Sequence, residues 1–261
     1  MSKVRIIPMI MAFVLATPLM FSASVSGQQP YIFLPLVGES ASPRIDGYWT
    51  SSSEWKTGTE TIQNYDDDTA LVIRAMRDLD NVYVLLEMPK DRVVDGTGGI
   101  CFDTASDGGA YMNPDDYCYV RGTTLRAYQG DGRTTLMQQM PLDPDVLSER
   151  GLSGANSPYE SDEHVTYEFK VPIDVIGEHD RYGFYVIYDT VGQSTNFTYY
   201  YSWPDSKNAS FLRVNSPRSW GIITTSDQVV PEFPLPAIGA IAGAVGLVAV
   251  ITRSRFAKSF R

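Results

Sequence analysis

Hydrophobic positions along the chain fall into short runs broken by turn-forming residues, without the three-to-four spacing of amphipathic helices. ALVIRAM at 70–76 and NVYVLLEM at 81–88 flank the polar stretch Arg77-Asp78-Leu79-Asp80, and together they predict a hairpin. Further strands are predicted at 99–102, 117–120, 124–129, 165–171, 183–188, 197–203 and 220–224, punctuated by clusters of Gly, Pro, Asn and Asp. Only 144–150 and 173–178 read as helical turns. No unit of roughly 20–50 residues repeats, which sets aside propellers and solenoids. The fold class expected is therefore all-β, a single antiparallel β-sandwich of jelly-roll type over 44–224.

The two ends follow a different pattern. Lys3 and Arg5 precede an apolar run and then small residues, the order of a secretory signal peptide, here 1–27. A spacer rich in small residues and proline follows at 28–43. After the sandwich, a linker at 225–234 leads into an uninterrupted apolar stretch at 235–252, read as a transmembrane helix, and a basic tail at 253–261. The tail belongs on the cytoplasmic side, so the sandwich is expected outside the cell, held at the membrane by the C-terminal helix.

Charge sharpens this division. Six of the 21 Lys and Arg lie in the termini but only one of the 31 Asp and Glu, leaving 15 basic and 30 acidic residues on the outer part. That surplus disfavours nucleic acid and anionic lipid as partners of the outer region. It suits cations, polar sugars or basic proteins. The two cysteines, Cys101 and Cys118, each sit in an apolar, aromatic strand-like segment, and an exported chain favours a disulfide between them. With His164 and His179 as the only histidines, no zinc-ligand spacing is present.

The order of short motifs between 44 and 223 resembles family 9 carbohydrate-binding modules and the related DOMON-like sandwiches. It begins with Arg44-Ile45-Asp46-Gly47 and Glu54-Trp55, continues through the hairpin ending in NVYVLLEM, and reaches GICFDT and NPDDYCYV. YEFKVPIDVIG, GFYVIYDT and YYSWPDSKNAS with Trp220-Gly221 complete the series. The resemblance implies a sandwich that clamps a sugar end between two aromatic rings fringed by polar groups, because a pyranose face is apolar while its rim needs hydrogen bonds. One ring position falls in 94–99, which here has no aromatic residue, and the other falls at Phe211. Trp203, Asp205, Asn208 and Phe211 are thus the expected ligand-binding residues, and a glycan or surface glycoprotein the expected partner. The competing expectation is a structural envelope component without a small ligand. Val230-Pro231-Glu232-Phe233-Pro234, standing directly before the apolar stretch, resembles the PEF-type C-terminal signals of archaeal surface proteins. That resemblance implies membrane anchoring, in some members with cleavage by a sortase-like enzyme.

Other chemistry is weighed against ordinary structural roles. Asp103, Asp107, Asp115 and Asp116 gather around one glycine-bearing loop, a pattern that suits calcium but is also common in solvated turns. For haem, which some DOMON-like sandwiches hold, the chain offers Met76, Met88, Met112 and His164 without a CxxCH motif; methionines on strands are usually core filler, so a haem-binding redox domain is the remoter alternative. No GxSxG or HExxH motif is present, and no catalytic residues are expected. Tyr200 is expected to point opposite to Tyr199 and Tyr201, leaving one face of that strand for the core and the other for stacking. Trp49 and Trp55 are expected to pack. Asn196 and Asn208 head glycosylation sequons.

Overall fold

Backbone pairing sorts the strands of the computed structural model into two facing sheets. The structure describes residues 29–134, 136–191, 198–205, 214 and 216–225. In chain order the strands are β1 (Tyr31–Phe33), β2 (Thr59–Asn64), β3 (Ala70–Arg77), β4 (Asn81–Met88), β5 (Thr97–Asp103), β6 (Asp116–Arg121), β7 (Leu125–Gln129), β8 (Gln138–Met140), β9 (Leu147–Ser153), β10 (His164–Pro172), β11 (Arg181–Val191), β12 (Thr198–Trp203) and β13 (Gly221–Thr224). One sheet runs β2-β3-β4-β10-β9; the other runs β1-β13-β11-β5-β6-β7-β8, with β12 paired to β11. Every pairing is antiparallel except β1 with β13.

The core lies between the sheets. Leu71, Ile73 and Ala75 of β3, Val82, Val84 and Leu86 of β4, and Val165, Tyr167 and Phe169 of β10 face Ile100 and Phe102 of β5 and Phe184, Val186 and Tyr188 of β11. Each large side chain so buried contributes about 1.5–3 kcal/mol.

The outer faces are covered too, which is why β3 and β4 read as continuous apolar runs instead of alternating ones. On the five-stranded sheet, Val37, Trp49 and Trp55 pack over Met76, Tyr83 and Leu85. Two fully buried carboxylates hold this layer down. Glu168 accepts the backbone N–H groups of Asp46 and Gly47, each at 2.8 Å, and the Trp55 indole N–H at 2.9 Å. Glu87 accepts the Trp49 indole N–H at 3.0 Å and bonds to Ser157 and to His164. The Arg-Ile-Asp-Gly and Glu-Trp motifs are thus the strap that closes this side. Gly47 has φ of 86°, and a Cβ there would stand 2.5 Å from the Arg150 carbonyl carbon, so glycine is required at the turn.

Three differences from the sequence reading have physical causes. The region 144–150, read as a helical turn, supplies most of strand β9, because pairing with β10 from Leu147 onward overrides local preference. The sandwich also begins ahead of residue 44: β1 pairs with β13, and Leu36 bridges to Arg77. Strand β2 gives no apolar signal in the sequence because its partly buried positions are Thr59, Thr61 and Gln63 and its one apolar residue, Ile62, is exposed. The segments expected to form a signal peptide at 1–27, a transmembrane helix at 235–252, a basic tail at 253–261 and the linker beyond Thr225 lie outside the described residues. Among the described residues no helix is long and apolar enough to cross a membrane.

Candidate functional site

The outer face of the eight-stranded sheet carries Tyr200, the two cysteines and the Asp103 and Asp116 pair singled out from the sequence. Residues directly opposite in neighbouring strands share a face, so the register sorts this surface into rows. One end row holds Tyr200, Asp189 and Thr97. The next holds Ser202, Ile187, Gly99, Val120 and Arg126. A third holds Tyr185, Cys101, Cys118 and Tyr128, and the far row holds Gly183, Asp103 and Asp116.

The first end is open to solvent. Tyr200 is 40% exposed, Arg126 is exposed, and Gly99 keeps the floor between them low. Asp189 is half-buried, and its Oδ1 is turned away from solvent without a hydrogen-bond partner. Burial pushes the Asp189 carboxyl above its usual pKa, opposed by hydrogen bonds from Thr97. Thr97, Val120, Gly122, Thr123, Thr124 and Arg126 line an adjoining cavity of about 220 Å³. An exposed phenol ring beside a carboxylate and a hydroxyl can stack on an apolar face while bonding to a hydroxylated rim.

The middle of the face is sealed. Cys101 and Cys118 stand opposite each other, Cα atoms 4.0 Å apart, and are joined by a disulfide. Met112, Val120, Tyr128, Met137, Tyr185, Ile187, Val214 and Trp220 bury it, with the Trp220 ring stacked on Tyr185.

At the far end, Asp103, Asp107 and Asp115 each bring a carboxylate oxygen within 4.8 Å of the others. Asp103 accepts the Gly108 N–H at 2.9 Å. Gly183 makes room for it, since a Cβ at that position would lie 2.8 Å from the Asp103 Cβ. Asp116 is fully buried directly across from Asp103. Burial pushes the Asp116 carboxyl up to about 8, against the Asn113 N–H bond and assisted by the charges of Asp103, Asp115 and Asp107. Burial likewise raises Asp103.

The expected ligand residues separate. Trp203 is only 3% exposed and faces the core, packed on Phe184 with centroids 6.0 Å apart and against Gly221. It therefore presents no face to a ligand: in β12 it shares the inward phase of Tyr201, and Tyr200 takes the outward one. Asp205 is exposed, whereas Asn208 and Phe211, and the sequon residue Asn196, lie outside the described residues. From the ring segment 94–99 only Thr97 and Gly99 reach the outer face. Sequence could nominate Tyr200 through strand alternation, but not its neighbours Asp189 and Thr97, which only the register brings beside it. Met76, Met88 and Met112 belong to three different apolar clusters, and His164 is committed to Glu87, so these residues do not converge on a shared haem pocket.

No family model matches the sequence, and no curated protein matches it. Among solved structures, the chain is similar to a family 9 carbohydrate-binding module from Caldicellulosiruptor kristjanssonii in complex with glucose, with a TM-score of 0.50 and 16% identity, over 77% of this chain and 100% of that one. A structure of a family 9 module from the same organism in complex with cellotriose aligns with a TM-score of 0.48 and 18% identity, over 78% of this chain and 100% of the other. The likeness to the glucose complex is one of fold: the described part of this chain is a two-sheet β-sandwich similar in fold to that module.

Proposed function

We propose that this chain is a non-catalytic glycan-binding protein whose sandwich recognises a carbohydrate or glycosylated surface outside the cell. The observation that carries the reading is the open row on the eight-stranded sheet, where the 40% exposed Tyr200 ring adjoins the half-buried Asp189 and Thr97. A ring supplies the stacking surface and the carboxylate accepts hydroxyl hydrogen bonds, the two requirements of a sugar site. The fold shared with a module solved in complex with glucose supports the same reading. Anchoring at the cell membrane by the C-terminal stretch at 235–252 rests on the sequence pattern.

A glycan array probed with the full-length protein, followed by titration of the strongest ligand, tests the proposal. Tyr200→Ala is expected to weaken binding about tenfold, the loss of roughly 1–1.5 kcal/mol of ring stacking. Asp189→Asn is expected to weaken it as well. A flat array at high protein concentration overturns the proposal in favour of a structural envelope component.

A further inference from the structure

The chain leaves the described sandwich at one end, and the row of Tyr200, Asp189 and Thr97 lies at the other. At the exit, the Thr225 N–H and hydroxyl both donate to the Asp180 carbonyl, at 2.9 and 3.3 Å. Arg77, Glu178, His179 and Asp180 share a cavity with Thr225, and Leu79, 76% exposed at the turn between β3 and β4, lines a second one with Glu178. Strand β11 starts at this end, where Arg181 faces Thr224, and runs to the opposite one, where Asp189 faces Tyr200 and Thr97. The step from 181 to 189, at about 3.4 Å per residue, puts roughly 27 Å between the exit and the row. The turn between β2 and β3 shares the row's end, since Asp67 accepts the Tyr201 hydroxyl at 2.8 Å.

We propose that the sandwich stands on its Thr225 end and holds the Tyr200 row away from its own membrane, so that it takes sugars carried by a facing surface. This rests on the sugar site and the C-terminal anchor proposed above. A sugar headgroup in the protein's own membrane and a sugar on a facing cell or matrix offer the row the same chemistry; the position of the row separates them. Between Thr225 and the apolar stretch beginning at Leu235 lie only the residues 226–234, which span at most about 30 Å when fully extended. Bringing the row down to the bilayer requires nearly that whole length to run back along the sandwich. Charge opposes the tilt as well. The outer part carries 15 basic and 30 acidic residues, so laying a long side on an anionic bilayer brings more carboxylates within a Debye length of about 8–10 Å than standing on one end does. Asp80, Asp174, Glu178 and Asp180 are exposed at the standing end and hold it clear of the headgroups.

Full-length protein reconstituted in vesicles of phosphatidylcholine and phosphatidylserine, with a rhodamine-labelled lipid as energy acceptor, tests the orientation. A donor dye is attached through Leu79→Cys at the standing end or through Asp66→Cys at the row's end, by treating intact vesicles so that only outward-facing protein is labelled. Both positions are exposed, and the native cysteines are held in the buried disulfide. Donor fluorescence should be lost from position 79 and largely retained from position 66, which lies a strand length further from the bilayer. Equal loss from the two positions, or greater loss from position 66, overturns the proposal. Protein that does not float with the vesicles overturns it too, by removing the anchor on which it rests. The measurement needs no sugar, so failure of the sugar site, seen as a flat glycan array, is told apart from failure of the orientation.

Discussion

Glu168 is where the closure of the outer layer can be tested quantitatively. Its two oxygens accept three N–H groups, from Asp46, Gly47 and Trp55. Burial is the largest influence on its titration and raises its pKa from 4.5 to about 8, although those hydrogen bonds pull it down. A carboxyl whose folded pKa exceeds its unfolded one contributes full stability below the unfolded value and loses it as pH rises towards the folded value. Between pH 5 and pH 8 the wild type should therefore lose roughly 3–4 kcal/mol through this group, at about 1.4 kcal/mol per pH unit. Glu168→Gln does not titrate. Its amide oxygen can keep the Asp46 and Gly47 N–H groups, but its NH2 then confronts the Trp55 indole N–H, leaving a buried donor unpaired at a cost of about 1–3 kcal/mol. The variant should be less stable than wild type by about that amount near pH 5, with the gap closing or reversing near pH 8. Urea unfolding followed by tryptophan fluorescence at the two pH values measures both differences. A glutamine penalty at pH 8 equal to or larger than that at pH 5 would refute the reasoning, because it would mean that the carboxylate is already ionised in the fold.

Other perturbations follow from the same structure. Replacing Cys101 and Cys118 together with alanine opens a link across 17 residues and should cost about 3 kcal/mol, read as a lower urea midpoint. Trp203→Ala should cost about 3–5 kcal/mol as a core cavity while leaving the glycan affinity of the folded protein unchanged; a selective loss of affinity would return Trp203 to the binding site. For His164, burial lowers the pKa but the hydrogen bond and charge of Glu87 prevail, holding it above its ordinary 6.5. Its stabilising contribution is present below that value and is lost as pH rises above it, so His164→Gln should flatten the stability profile on the alkaline side of 6.5.

How much the sequence disclosed varied with how local the determining forces are. The hairpin of β3 and β4 was legible because its polar turn and β-branched runs act within a few residues. The all-β class followed from the same kind of signal. The disulfide could be anticipated from two cysteines in neighbouring strand-like runs, and the acidic loop from its composition. What escaped depends on long-range pairing: β9 became a strand through β10, and Asp189 became a neighbour of Tyr200 only through the register of β11 and β12. The phase of β12 decided which aromatic faces outward. Neighbouring rings in one strand look alike in sequence until a core claims one side, and here it claimed Trp203 and Tyr201. The Glu168 strap joins residues more than a hundred positions apart, so no local pattern could announce it.

The central claim is that the open end of the eight-stranded sheet binds sugar. Titrating isotope-labelled protein with its strongest array ligand, and mapping the resonances that move, tests this most directly. Saturable shifts centred on Thr97, Asp189 and Tyr200, sparing Asp103 and Asp107, are the result expected. Saturation that leaves those three residues unmoved, or that maps to another face of the sandwich, would contradict it.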